Sequence, residues 1–236
     1  MAHALCETSC LLATLLNRHA VMTVRVCYNT HEFEAVDIHL RTLRDRQEFS
    51  DEQGVAADLG ICSASWPMFG VVWPSGLVLA HYLFNFDITN KRILEVGCGI
   101  GLSSLLLNHL KADITATDHH PEAEAFLIKN AQLNRDPLIP FVRTGWADPK
   151  TALGEYDLVI GSDLLYEDQH IHLLVAFIAQ HCKAHCDVIL VDPGRGRHTK
   201  FSRKMMALGF TMELTRSGDR AYLDKPFKGV ILRYTR

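Results

Sequence analysis

The sequence has no excess of charge of either sign. Lys and Arg total 24 against 27 Asp and Glu, a formal net charge of −3. The basic footprint of a general nucleic-acid binder is missing, so no nucleic-acid partner is expected. No run of about 18 apolar residues occurs, so no membrane-spanning segment is expected. Internal repeats and low-complexity stretches are absent, which sets aside solenoid and linker architectures. The seven cysteines are odd in number and scattered, in a chain too large to need disulfides. That pattern points to a reducing, intracellular compartment, taken as the cytoplasm. The N-terminus has an apolar centre but no basic leader, carries Glu7, and offers no small-residue cleavage site. A short amphipathic helix over about 4–17 is expected there rather than a signal peptide.

What remains is a chain with 48% hydrophobic and 22% charged residues, enough for a substantial core. Its second half is regular. RILEV (92–96), DITATD (113–118), LIPFVR (138–143), YDLVIGSD (156–163) and DVILVD (187–192) read as strands. Helical patterns fill about 101–110, 121–133, 169–182 and 199–208. Alternation of this kind predicts an α/β fold with a doubly wound, mostly parallel, Rossmann-like sheet. FTMELTR and KGVILRYTR close the chain as an antiparallel pair. Pro140 marks the third strand as an edge or irregular one.

Ahead of this, residues 21–29 and 33–40 read as a β-hairpin turning at Thr30–Glu32. Residues 41–60 read as a helix or surface loop. Pro74-Ser75-Gly76 reads as a turn before a helix starting near Leu77. The division expected is an N-terminal helix and hairpin extension, 1–65, and one α/β domain, 66–236. The cluster His181, Cys182, His185 and Cys186 has donors suited to zinc. Its other reading is the end of a helix running into a strand.

In a doubly wound sheet the ligand lies outside the C-terminal strand ends, at the point where strand order reverses. Those ends carry Glu95 with Gly97-Cys98-Gly99-Ile100-Gly101, then Asp118, then Trp146 and Asp148, then Asp163. Glycine lets a ligand approach the backbone closely. A dinucleotide fingerprint would need glycine at 102, where Leu102 stands. Glu95 would also repel a pyrophosphate at this helix N-terminus. S-adenosylmethionine has no phosphate and carries a sulfonium and an ammonium, so it suits acids here. Asp118 is placed to accept both ribose hydroxyls. His119 and His120, which follow it, read as solvent-facing loop residues.

E-x-G-x-G-x-G after a strand, an acid ending the next strand and a later D-x-x-Y resemble the seven-β-strand (class I) S-adenosylmethionine-dependent methyltransferases. More narrowly, Trp73-Pro74-Ser75-Gly76 and Ser162-Asp163-Leu164-Leu165-Tyr166 are similar to motifs of the family-16 protein lysine methyltransferases, over about residues 66–215. The resemblance implies a seven-stranded sheet and transfer of a methyl group to a lysine of a protein substrate, without a metal. It implies that Glu95, Gly97, Gly99 and Gly101 cradle the methionine and ribose portion of the cofactor and that Asp118 holds the ribose. Trp146 would lie against adenine, and Trp73 and Ser162 would line the cofactor pocket. Asp163 and Tyr166 would form the catalytic pair at the substrate mouth. Asp192-Pro193-Gly194-Arg195 is weakly similar to members acting on the electron-transfer flavoprotein β-subunit. Two alternatives stay open: a small-molecule N- or O-methyltransferase on the same fold, and a protein histidine or arginine methyltransferase.

Overall fold

Apolar residues fill consecutive positions along the central strands, so both faces of the sheet must be covered. The computed structural model describes residues 24–166, 168–216 and 221–236; the helix expected over 4–17 lies outside them. A hairpin comes first, β1 (Val26–Phe33) with β2 (Val36–Leu43), followed by the short helix α1 (Val55–Asp58), a 3-10 turn (Trp66–Gly70) and α2 (Pro74–Phe84). Then come β3 (Arg92–Val96), α3 (Leu102–His109), β4 (Asp113–Asp118), α4 (Ala123–Leu133) and β5 (Phe141–Arg143). The chain finishes with β6 (Tyr156–Ser162), α5 (Asp168–His181), β7 (Cys182–Asp192), α6 (His198–Ala207), β8 (Thr211–Arg216) and β9 (Val230–Thr235).

The seven-stranded sheet has the order β5-β4-β3-β6-β7-β9-β8. Only β9 runs antiparallel to its neighbours β7 and β8. Alternate side chains go to opposite faces, as the strand period requires. Ile93, Leu158, Ile160, Ile189 and Val191 join one apolar cluster with α2, α3 and α4. Leu94, Val159, Val188 and Leu190 join a second cluster with α5 and α6. The doubly wound expectation therefore holds, including the single antiparallel strand.

Several local expectations need correcting. The hairpin turns at Glu34-Ala35, with Glu34 left-handed at φ 54°, not at Thr30–Glu32. Burying Phe33, Ile38 and Leu40 on the core side fixes that register, because a one-residue slip would reverse every side chain. Residues 41–43 extend β2, and only 55–58 of the following polar stretch is helical. Pro74 opens α2 rather than a turn; its fixed φ suits the first helical position, where an N–H has no partner anyway. The third strand is only three residues long and lies at the sheet edge, although the Pro140 carbonyl still accepts the Ala116 N–H at 2.9 Å.

The zinc-type cluster does not converge. Nδ1 of His181 lies 2.9 Å from the Gly154 carbonyl oxygen and Nε2 lies 3.1 Å from the Thr151 hydroxyl, so both ring nitrogens are engaged. Cys182 and Cys186 are buried while His185 is exposed. Among the described residues no group of three or more His, Cys, Asp or Glu side chains forms a metal-type cluster. Trp66–Phe84 is a 19-residue stretch apolar enough to cross a bilayer. It is two elements separated by extended backbone at Val71 and Trp73, and Trp66, Phe69, Val78, Leu79 and Leu83 belong to the core.

The hairpin is fastened to α4 by two asparagines one turn apart. Asn130 Oδ1 accepts the Arg41 N–H at 2.7 Å and its Nδ2 donates to the Arg41 carbonyl at 3.2 Å. Asn134 treats His39 in the same way, at 2.8 Å for each bond. Side-chain amides here take the place of a neighbouring strand and close the exposed edge of β2.

Candidate active site

The chain proceeds from β3 outward through β4 and β5, then returns to place β6 and β7 on the other side. Strand order thus reverses between β3 and β6, and the crevice opens at their C-terminal ends. The turn leaving β3 holds Gly97, Gly99 and Gly101 at φ 62°, 54° and 75°. A side chain at any of them would strain the backbone. A Cβ at Gly97 would lie 2.7 Å from Leu164 Cδ2, and one at Gly101 2.5 Å from Leu127 Cδ1. The Phe69 carbonyl oxygen comes within 3.1 Å of the Cβ position at Gly99. Glycine is required here by the close packing of the protein on its own turn, a reason additional to ligand approach.

Glu95 is 4% exposed. Its Oε2 accepts the backbone N–H of Ser104 at 2.9 Å and also the Ser104 hydroxyl. Ser104 lies in the first turn of α3, so the positive end of that helix is compensated from within. A phosphate is not needed there. Burial pushes the Glu95 carboxyl up to about 7, against the pull of the two Ser104 bonds, with Asp118 pushing the same way.

Asp118, at the end of β4, is half-buried. Its Oδ2 accepts the Gly99 N–H at 2.7 Å and its Oδ1 the His120 N–H at 2.8 Å. Burial raises its pKa and these two donors oppose the rise. Each oxygen keeps a second lone pair, so the carboxylate retains capacity for two hydroxyls.

His120 departs from the sequence expectation: it is 5% exposed. Its ring stacks on Phe69 at 3.9 Å and meets Trp66 edge-on at 5.3 Å. Its Nδ1 accepts the Glu122 N–H at 3.1 Å. Burial drives its pKa down to about 4. His119 is exposed, as expected. The aromatic run Trp66–Phe69 was the available sign that this loop is roofed.

Trp146 is partly buried beside the glycine turn, its ring 3.9 Å from the Cβ position at Gly97. It meets His170 edge-on at 5.9 Å, and His170 meets Tyr166 at 5.4 Å. Tyr166 is 45% exposed, at the outer end of this aromatic row. Asp148 points elsewhere: it accepts the Gly145 N–H at 2.7 Å and the Thr144 hydroxyl at 3.0 Å, closing its own turn. Trp73 donates Nε1–H to the Met68 carbonyl at 2.9 Å and lies 4.2 Å beneath the Arg46 guanidinium. Three residues on, the Cβ position of Gly76 is 3.6 Å from Ser162 Oγ. The two sequence motifs flanking the glycine turn therefore meet at the end of β6.

Asp163 follows β6 in the left-handed region, φ 55°, a costly conformation for a residue with a side chain. Its N–H donates to the Val191 carbonyl at 2.9 Å. Both carboxylate oxygens are taken by Arg195, Nε to Oδ1 at 3.0 Å and Nη2 to Oδ2 at 3.0 Å. Burial pushes the Asp163 carboxyl up and Arg195 pulls it down, leaving it above its ordinary value. The sequence reading gave Arg195 no role at this site.

Acids at adjacent strand ends and a helix N-terminus neutralised by Glu95 suit a cationic cofactor without phosphate. The molecule is built as an S-adenosylmethionine-dependent methyltransferase of the seven-strand class. The narrower assignment comes from comparison with known proteins. The lysine methyltransferase family matches residues 65–207, and the chain belongs to that family. EEF1A lysine methyltransferase 3 of Mus musculus is 28% identical over 174 residues, 71% of this chain and 72% of that protein. Protein N-lysine methyltransferase METTL21A of Danio rerio is 29% identical over 141 residues, 55% of this chain and 64% of that one. Histone-arginine methyltransferase METTL23 of Rattus norvegicus is 27% identical over 143 residues, again 55% and 64%. Among solved structures, the magnesium protoporphyrin IX methyltransferase ChlM of Synechocystis PCC 6803, with bound SAM, shares the fold. It superposes with a TM-score of 0.53 at 20% identity, covering 67% of this chain and 76% of that one.

Proposed function

We propose that this enzyme methylates a lysine side chain of a protein substrate. The observation that carries this reading is the placing of Asp163, a half-buried acid at the switch point, on the motif that packs against Gly76. S-adenosylmethionine would supply a methyl group on a sulfonium. Asp118 would hold the ribose hydroxyls, and the glycine turn with Glu95 would shape the space for the methionine portion. Trp146 would lie against adenine, and Trp73 and Ser162 would line the pocket. Asp163 orients the acceptor nitrogen through its hydrogens, and Tyr166 walls the channel.

A lysine with an ordinary pKa of about 10.4 must lose a proton before it reacts. The freed nitrogen lone pair is what would take the methyl group, and the proton lost from the ammonium would pass to water. Alignment by the protein supplies the remaining acceleration. The cysteine pattern favours a cytoplasmic setting.

A second reading, an arginine acceptor, has one finding in its favour: the 27% identity to histone-arginine methyltransferase METTL23 of Rattus norvegicus. Transfer of labelled methyl into a cell extract, followed by mass spectrometry of the modified residue, decides between the two. Methyl-lysine, lost with Asp163→Ala while cofactor affinity persists, is the expected result. Methyl-arginine, methyl-histidine, or label confined to small molecules would overturn the lysine assignment.

A further inference from the structure

The turn after β7 is built to deliver one side chain. Asp192, 1% exposed, accepts the Gly194 N–H at 2.8 Å and the Arg195 N–H at 3.3 Å on its Oδ1. Gly194 is left-handed at φ 96°, and a Cβ there would lie 3.2 Å from the Lys228 carbonyl oxygen. The turn is thereby fixed from two sides, and it carries Arg195 across to the end of the neighbouring strand. There the guanidinium grips both oxygens of Asp163, with Nε 3.0 Å from Oδ1 and Nη2 2.9 Å from Oδ1 and 3.0 Å from Oδ2, a bidentate charge-assisted pairing.

We infer that Arg195 is a positioning and specificity-determining residue that ion-pairs Asp163, so that this acid orients a lysine amine without holding it protonated and leaves no fork for a substrate guanidinium. The inference rests on the proposed role of Asp163. An unpaired carboxylate beside a lysine would stabilise the ammonium and raise its pKa, the wrong direction for methyl transfer. Paired with Arg195, Asp163 presents a nearly neutral unit. Oδ2, which meets only Nη2, keeps a lone pair to take a hydrogen from an amine. A second bidentate guanidinium finds the fork filled.

Among the described residues, the neighbouring cations have partners of their own. On the α6 side, Arg197 and Lys200 are each engaged by Asp168 at 3.0 Å. His198 has its Nδ1 3.9 Å from Asp192 Oδ1, and Asp192 itself opposes the ionisation of Asp163. On the α5 side stand Tyr166 and His170, in contact with each other.

The test is the pH dependence of kcat/KM for Arg195→Gln and Arg195→Lys on the methyl-accepting protein, with a peptide pair differing only in Lys or Arg at the acceptor. Arg195→Gln should move the limb set by acceptor deprotonation up by about one unit and cut kcat/KM about tenfold at neutral pH. It should also narrow the preference for lysine over arginine. S-adenosylmethionine affinity by calorimetry should stay as in the wild type. Arg195→Lys, which keeps the charge but not the fork, should restore most of the pH profile while leaving the preference narrowed. An unmoved profile overturns the inference. So does a variant that is faster at every pH, which would make Arg195 a plug rather than a partner. If Asp163→Ala retains full activity, the reading of Asp163 fails first; if it is inactive and the Arg195→Gln profile is unmoved, only the present inference fails.

Discussion

Asp118 Oδ2 accepts the Gly99 N–H at 2.7 Å, so the acid of one strand end holds the left-handed turn of the next. Asp118→Ala would remove the proposed ribose acceptor and also leave that N–H without its partner. An unsatisfied buried donor costs about 1–3 kcal/mol, and the turn would relax to recover it. S-adenosylmethionine affinity should fall at least tenfold, together with a lower Tm. Asp118→Asn keeps one oxygen for Gly99 and should recover the Tm more than the affinity. Calorimetry and thermal unfolding on the same three proteins check this; an Ala variant with wild-type affinity would remove Asp118 from the site.

Gly97 and Leu164 link the glycine turn to the motif that carries Asp163. The Cβ of Gly97→Ala would stand 2.7 Å from Leu164 Cδ2, on backbone already at φ 62°. Overpacking and backbone strain together should cost about 1–3 kcal/mol. The displaced Leu164 adjoins Asp163, so turnover should fall more than tenfold. Leu164→Ala in the same chain removes the collision and leaves the strain, so part of the loss should return, with a coupling of about 1 kcal/mol in urea unfolding. Strictly additive effects would mean that the two side chains do not meet.

The sheet was legible because its central strands are short continuous apolar runs and its helices show apolar faces. Glu95, the three glycines and Asp118 were legible because the switch-point rule ties function to strand ends. Four features were hidden for one physical reason: each depends on a partner far away in sequence. The hairpin turn could not be fixed until Phe33, Ile38 and Leu40 had a core to enter. Pro74 looked like a breaker until α2 had a place to start. His120 looked like a loop residue until Trp66 and Phe69 closed over it. Arg195 was part of a motif, but its meeting with Asp163 32 positions earlier is a property of adjacent strands, not of spacing.

Glu95 and His120 should give the protein two opposing pH dependences. Burial lifts Glu95 from 4.5 to about 7. Between these values the folded chain keeps a proton that the unfolded chain has released, so stability falls as pH rises through this window. His120 is held down from 6.5 to about 4. There the unfolded chain binds the proton and the folded chain does not, so stability rises as pH rises from about 4 to 6.5. Each contribution is about 3 kcal/mol, and over their common range the two nearly cancel. Glu95→Gln keeps an acceptor for Ser104 and removes the first slope, so its stability should climb relative to wild type as pH goes from 5 to 7. His120→Phe keeps an aromatic ring against Phe69 and removes the second, so its stability should decline relative to wild type between pH 4 and 6.5. Urea unfolding at half-unit pH steps measures both differences, free of the slopes common to all three proteins. A Glu95→Gln curve parallel to wild type would mean that this carboxyl titrates in the fold as it does in the unfolded chain, and its burial behind Ser104 would then need another account.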